Sequence, residues 1–238
     1  MAPCPLCSLL RPCETSFTKY GAPEYDKSLP EAAADLTILP ASSKEDIERH
    51  HIRRCPHCGA LYDYRLSCEY MINGSEDEET LTRLDSDQAR SWLLGQAEEL
   101  EKLRRSVDDL QSSAGGLGDY IDRGHPSEEE IREALGDMAR YRQEAEELQA
   151  ALNQRVECLR RDTPEVLHLW SKAHERACQF FLDTLPERGE DAETARYVAL
   201  TTQQAWRQLP NAGPTFISIN TAWLSDYFDH MEMAGGLT

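Results

Sequence analysis

Apolar and polar residues alternate from Ala60 to Ile72, with Tyr62, Tyr64, Leu66, Cys68, Tyr70 and Ile72 on one side. A period of two is the signature of a half-buried strand, and Asn73-Gly74 is a hairpin turn signal. Thr80-Leu81-Thr82-Arg83-Leu84 reads as the returning strand, which leaves Glu76-Asp77-Glu78-Glu79 as an exposed acidic loop. Upstream, Leu36-Thr37-Ile38-Leu39 is a short strand stopped by Pro40. Ser43, with Asp46 as a variant capping-box partner, starts a short helix through His50.

From Ser86 onward the period lengthens. Leu93, Leu100 and Val107 recur every seven residues, Leu103 and Leu110 add a second stripe, and Gln96 interrupts it. This predicts a helix over 87–111 capped by Ser86. Residues 112–126, with Ser112, Ser113, Gly115, Gly116, Gly118, Gly124 and Pro126, read as a break. Ser127 and Glu130 form a capping box for a second helix. Its seam is Ile131, Met138, Ala145, Leu152 and Leu159, flanked by Leu135, Tyr141, Leu148 and Val156. The two helices are expected to pair as an antiparallel hairpin over 86–161. Thr163-Pro164 restarts a helix to about Thr184, Asp191 caps another through Gln208, and Asn220 a last one carrying Trp223, Leu224, Tyr227, Phe228 and Met231. All four tryptophans fall in this helical part, which is expected to hold its core.

The chemistry concentrates at Cys4-Pro5-Leu6-Cys7 and Cys55-Pro56-His57-Cys58-Gly59. Each hook offers two thiolates at metal-ligand spacing, and half a site must find its other half. The second hook resembles a zinc-ribbon knuckle, and the first is a copy with Ser8 where glycine is usual. The resemblance covers residues 1–85 and implies one structural Zn²⁺ held by Cys4, Cys7, Cys55 and Cys58. Four thiolates leave no position open for a catalytic water. Rubredoxin-like iron uses similar hooks and is the rival cofactor. Cys13 and Cys68 are further possible ligands, read as a small apolar residue and a buried strand residue. His50, His51 and His57 are read as surface residues.

The expected fold is thus α+β: a small N-terminal zinc-ribbon-like β module (1–85), then a mainly α-helical domain (86–238). That domain holds the long helix hairpin and C-terminal helices over 163–234. With 238 residues and 40% hydrophobic content, the chain can bury a real core. It shows no apolar run of about 18 residues, so no membrane span is expected. The absence of a secretory signal and the C-x-x-C spacing favour a reducing cytoplasm over disulfides.

The net charge is −18. A general phosphate-tracking surface is not expected, because there is no surplus of Lys and Arg to release counterions. Acidity suits attraction of a basic protein partner instead.

Gly118-Asp119-Tyr120-Ile121-Asp122-Arg123-Gly124 resembles the GD-x-[VI]-DRG motif of metal-dependent phosphoprotein phosphatases, where Asp119 would bridge two metals. Its companion motifs G-D-x-H-G and G-N-H-E do not occur, so the segment reads as an inter-helix loop. His168, His174 and Cys178, together with Asp226 and His230, offer helical spacing for a second metal site, but ordinary helix positions account for them more simply.

The leading expectation is a non-enzymatic, zinc-binding acidic protein, an adaptor or an inhibitor of a basic partner. Glu76, Asp77, Glu78 and Glu79, or the hairpin, would form its surface. One alternative is a nucleic-acid-associated regulator using the knuckle with Arg49, Arg53 and Arg54. Another is an enzyme with a site in the helical domain.

Overall fold

A computed structural model of the chain describes residues 3–39, 49–71, 74–184 and 190–211. Two compact units divide it, Met1–Ser91 and Trp92–Thr238. Among the described residues the architecture is α+β and mostly helical, with a five-stranded sheet followed by four α-helices. The helix expected from Ser43 falls outside the described residues, apart from its end. The Asn73 turn and everything beyond Asn211 also lie outside, including the last predicted helix with Asp226 and His230.

The strands are β1 (Cys13–Lys19), β2 (Thr37–Ile38), β3 (His50–Arg54), β4 (Leu61–Met71) and β5 (Gly74–Arg83). Every pairing is antiparallel, in the order β1-β5-β4-β3-β2. The tyrosine alternation sets the central strand. Tyr62 and Tyr64 turn inward and are buried, and Tyr64 stands opposite Leu81 on one side and His51 on the other. Leu6, Cys7, Leu10, Ala32, Ala33 and Leu36, carried on short turns, cover that inner face.

One expectation for this region is corrected, and one strand is added. Glu76 to Glu79 do not form a loop; they lie within β5 and pair with β1 on one side and β4 on the other. Strand β1 was not signalled, because Cys13-Glu14-Thr15-Ser16-Phe17-Thr18-Lys19 lacks an apolar alternation. Its inward positions are Glu14 and Ser16, both buried, and both satisfied: Glu14 accepts from the Arg11 amide, and Ser16 donates to Glu79. A buried polar side with partners removes the hydrophobic signal of a strand without removing the strand.

The helices are α1 (Ser86–Arg123), α2 (Glu128–Asp162), α3 (Pro164–Thr184) and α4 (Glu190–Gln208). The cap of α1 is Asp85 rather than Ser86: its carboxylate accepts from the amides of Asp87 (2.9 Å) and Gln88 (2.8 Å), while Gln88 accepts from the Asp85 amide. The predicted break at 112–126 is largely absent, since α1 runs on through the glycines to Arg123. Its stop comes at Gly124 and His125, and His125 has a positive φ of 50°. The Ser127–Glu130 capping box forms as the sequence indicates.

On α1 the buried positions are Ala97, Leu100, Arg104, Val107 and Ala114, and on α2 Ala134, Ala145, Leu152, Val156 and Leu159. Arg155 of α2 donates to Gln96 of α1. The helical core joins Ala97 and Leu100 to Leu152, Val156 and Leu159, and these to Val166, Leu167, Trp170, Ala177, Ala199 and Trp206.

Candidate metal centre

The second hook is the connection of the β3–β4 hairpin, whose last pair is Arg54 opposite Leu61. Between them the chain reverses tightly: the Gly59 amide donates to the Cys55 carbonyl (2.9 Å), and the Cys55 amide to the Ala60 carbonyl (2.8 Å). Gly59 has φ 75°, a left-handed conformation that side chains disfavour. The first hook repeats the turn, with the Ser8 amide donating to the Cys4 carbonyl (3.0 Å) ahead of the single 3-10 turn Cys7–Leu9. Leu6 and Leu10 anchor it in the same core as Tyr62 and Cys55.

Folding thus brings four sulfurs to one place. Those of Cys4, Cys7, Cys55 and Cys58 lie within 4.8 Å of one another, a group that could hold a metal ion. Across the two hooks, Cys4 Sγ to Cys55 Sγ is 3.7 Å and Cys7 Sγ to Cys58 Sγ is 3.4 Å. These distances are far longer than a disulfide, at about 2.05 Å. They approach the edge of about 3.8 Å that a tetrahedron with metal–sulfur bonds of about 2.3 Å requires.

The electrostatics agree with a site made for a cation. The amide of Cys7, donating to Cys4, pulls the Cys4 thiol down to about 6, with smaller help from the other three cysteines. Burial pushes Cys7 up to about 12, and burial also raises Cys58. A positive charge at the centre would favour the thiolates of Cys7 and Cys58 beside that of Cys4.

Tyr62 gives an independent test of the fit. Its hydroxyl is buried and makes no hydrogen bond of ordinary geometry. Burial and the Cys7 thiol, chief among the polar groups acting on it, hold the phenol well above its usual range. A thiolate at Cys7 would supply the missing acceptor.

The remaining candidates are placed elsewhere. Cys13 is exposed, and its sulfur accepts from Thr82 Oγ1 at 3.6 Å. Cys68 is half-buried on β4 beside Asp77. Neither belongs to the four-sulfur group, and His57 is exposed outside it. His51 is not a surface residue: it stacks on Tyr64 with ring centroids 4.3 Å apart.

Of the three arginines near the knuckle, Arg49 is exposed. Arg53 turns inward, 4.2 Å over the Tyr64 ring, donating to His51 Nε2 (2.9 Å) and the Ala33 carbonyl (3.2 Å). The Arg54 guanidinium packs over Gly59, where a Cβ would meet its Nη2 at 3.2 Å. The acidic residues of β5 alternate between faces: Glu76 pairs with Lys19, and Glu79 accepts from Ser16 and from Tyr64 Oη (2.6 Å).

Among the described residues His174 is not part of a metal-ligating group. Its Nε2 meets Glu101 Oε2 at 2.8 Å, a contact no sequence spacing announces. Trp170 Nε1 donates to the same oxygen at 2.9 Å. His168 is exposed. Asp119 and Arg123 of the phosphatase-like motif sit on helix α1, exposed and paired with each other at 3.8 Å, not on a ligand-presenting loop.

The chain matches no protein-family model, and no curated protein or solved structure shows significant similarity to it. Among the described residues no helix is long and apolar enough to cross a membrane.

Proposed function

We propose that this chain is a zinc-stapled, non-enzymatic binding protein, in which Cys4, Cys7, Cys55 and Cys58 ligate one Zn²⁺ and protein surfaces do the work. The observation that carries the reading is the convergence of four thiols from two hooks onto one centre. An all-thiol shell is closed: it holds the fold and offers no exchangeable position for a substrate. Hard oxygen-loving cations are poor guests for such a donor set, and zinc suits it well.

A basic protein is the partner that net charge −18 favours. In this reading residues 1–85 form the metal module and 86–238 the helical domain. Helices α1 and α2 form an antiparallel hairpin, and the working surfaces lie on the sheet and along that hairpin. The inward turn of Arg53 weighs against a nucleic-acid patch beside the knuckle.

Native mass spectrometry with elemental analysis tests the metal, and titration with basic and acidic peptides at physiological salt tests the partner class. The expected result is one zinc per chain and selective binding of the basic peptide. Iron in the site, or no preference between the peptides, would overturn the corresponding half.

A further inference from the structure

The inner face of the sheet continues beyond its apolar cover. Its apolar contacts end at Leu66, and two further cross-strand rows follow. Thr18, Asp77 and Cys68 make the first row. The second is Tyr20, Ser75 and Tyr70: Tyr20 stands one residue beyond β1 with its amide donating to the Ser75 carbonyl (3.0 Å), and Ser75 is opposite Tyr70. Directly opposed residues share a face, so both rings rise on the same side with the smaller serine between them. Tyr70 is 85% and Tyr20 74% exposed, the most exposed large apolar side chains among the described residues.

A large-small-large row is a slot. Strands are about 4.8 Å apart, so the tyrosine backbones stand roughly 9.5 Å from each other. Rings on backbones that far apart leave room for one planar group between them. The ring faces are electronegative and attract cations. Asp77 lies one row inward on the same face, two residues along β5, about 7 Å away. Glu79, a further row in, already accepts from Ser16 and Tyr64. Asp77 has the Cys68 thiol beside it, and Arg49 acts on that thiol from the β3 side.

We propose that Tyr20, Ser75 and Tyr70, backed by Asp77, form a docking slot for an arginine side chain presented by a partner protein. A guanidinium is planar, stacks on rings and pairs with a carboxylate, whereas the compact, strongly hydrated lysine ammonium does so less well. The proposal rests on the basic-partner reading above and gives it a place.

The test uses the zinc-loaded full-length chain and two synthetic peptides of equal length, alternating arginine–glycine and lysine–glycine, titrated calorimetrically at 150 mM salt. The wild type is expected to bind the arginine peptide at least fivefold more tightly. The double substitution Tyr20→Ala with Tyr70→Ala leaves net charge unchanged and is expected to weaken that peptide about tenfold and erase the preference. Tyr20→Phe with Tyr70→Phe, which keeps both rings, should bind like wild type. Asp77→Asn should weaken both peptides. An unchanged affinity in the double alanine variant, at unchanged zinc content and melting temperature, would overturn the slot and leave the basic-partner reading standing. Failure of the wild type to bind either peptide would overturn both.

Discussion

His174 lies flat on Trp206, with ring centroids 3.6 Å apart and planes 3° from parallel. The imidazole is fully buried in the helical core, and its Nε2 points at Glu101 across the bundle. Arg104 and Arg105 hold the same carboxylate, and Arg104 reaches on to Asp108. Two arginines thus balance two carboxylates, and His174 completes the group as a neutral donor. Burial, which alone would raise Glu101, is outweighed by His174 and Arg104, so that carboxyl sits well below the usual range. Burial lowers His174 below its ordinary 6.5, against the pull of Glu101.

This network makes the helical unit acid-sensitive. The unfolded chain takes up a proton at His174 that the folded chain refuses. Its stabilising contribution is therefore complete above about pH 6.5 and declines as pH falls below that value. Glu101 adds a second decline in the same direction below about pH 4.5. His174→Gln is expected to destabilise the unit by about 2–4 kcal/mol at pH 7. It should also flatten the loss of melting temperature between pH 7 and pH 5. Thermal melts followed by helical circular dichroism across that range check both. A variant curve running parallel to the wild type would sink the assignment.

What the sequence made legible was local. The spacing of Cys4, Cys7, Cys55 and Cys58 pointed to a candidate site because a hook is complete within four residues and needs a partner. The Ser127–Glu130 cap and the β4 alternation were equally self-contained. The Glu101–His174 contact joins residues far apart in sequence, and no periodicity encodes it. Glu76 to Glu79 read as loop because carboxylates have low strand propensity. Pairing on both sides and bonds to Lys19, Ser16 and Tyr64 override that preference.

The glycines of α1 were misread for the same kind of reason. Gly115, Gly116 and Gly118 lie inside the helix, where an added Cβ would meet nothing within 4 Å. Gly115→Ala and Gly116→Ala are each expected to stabilise the unit by about 0.5–1 kcal/mol. A thermal shift of roughly 1–4 °C would register each. Neutral or lower melting temperatures would argue that the segment is not helical in solution.

Cys55 is wholly buried, and its amide donates to the Ala60 carbonyl just ahead of the central strand β4. Cys55→Ser removes one thiolate and should release the metal, whose binding contributes on the order of 10 kcal/mol in structural sites. That is comparable to the whole stability of a small domain. Residues 1–85 should then become susceptible to limited proteolysis while most helical signal persists. Chelation should reproduce the effect. The exposed Cys13→Ser variant is expected to stay within about 0.5 kcal/mol of wild type with full metal content. Retained protease resistance in Cys55→Ser, with metal gone, would show that the module does not depend on the ion.

Tyr62→Phe separates the role of the buried hydroxyl from that of the ring. Tyr62 is 1% exposed, and its ring is part of the core that holds Cys7 and Cys55. A buried hydroxyl without a partner costs about 1–3 kcal/mol, a penalty that a thiolate acceptor at Cys7 removes. Phenylalanine keeps the packing and deletes only the donor. In chelated protein, where residues 1–85 are expected to lose their fold, the substitution should leave the melt unchanged. In loaded protein it should weaken metal affinity about tenfold, the lower end of what lost outer-shell bonds produce. Competition against a chromogenic chelator measures the affinity, and paired melts with and without metal measure stability. A loss of affinity and of stability confined to the loaded state would place the hydroxyl on the Cys7 thiolate. Unchanged metal affinity would mean that Tyr62 serves the core alone.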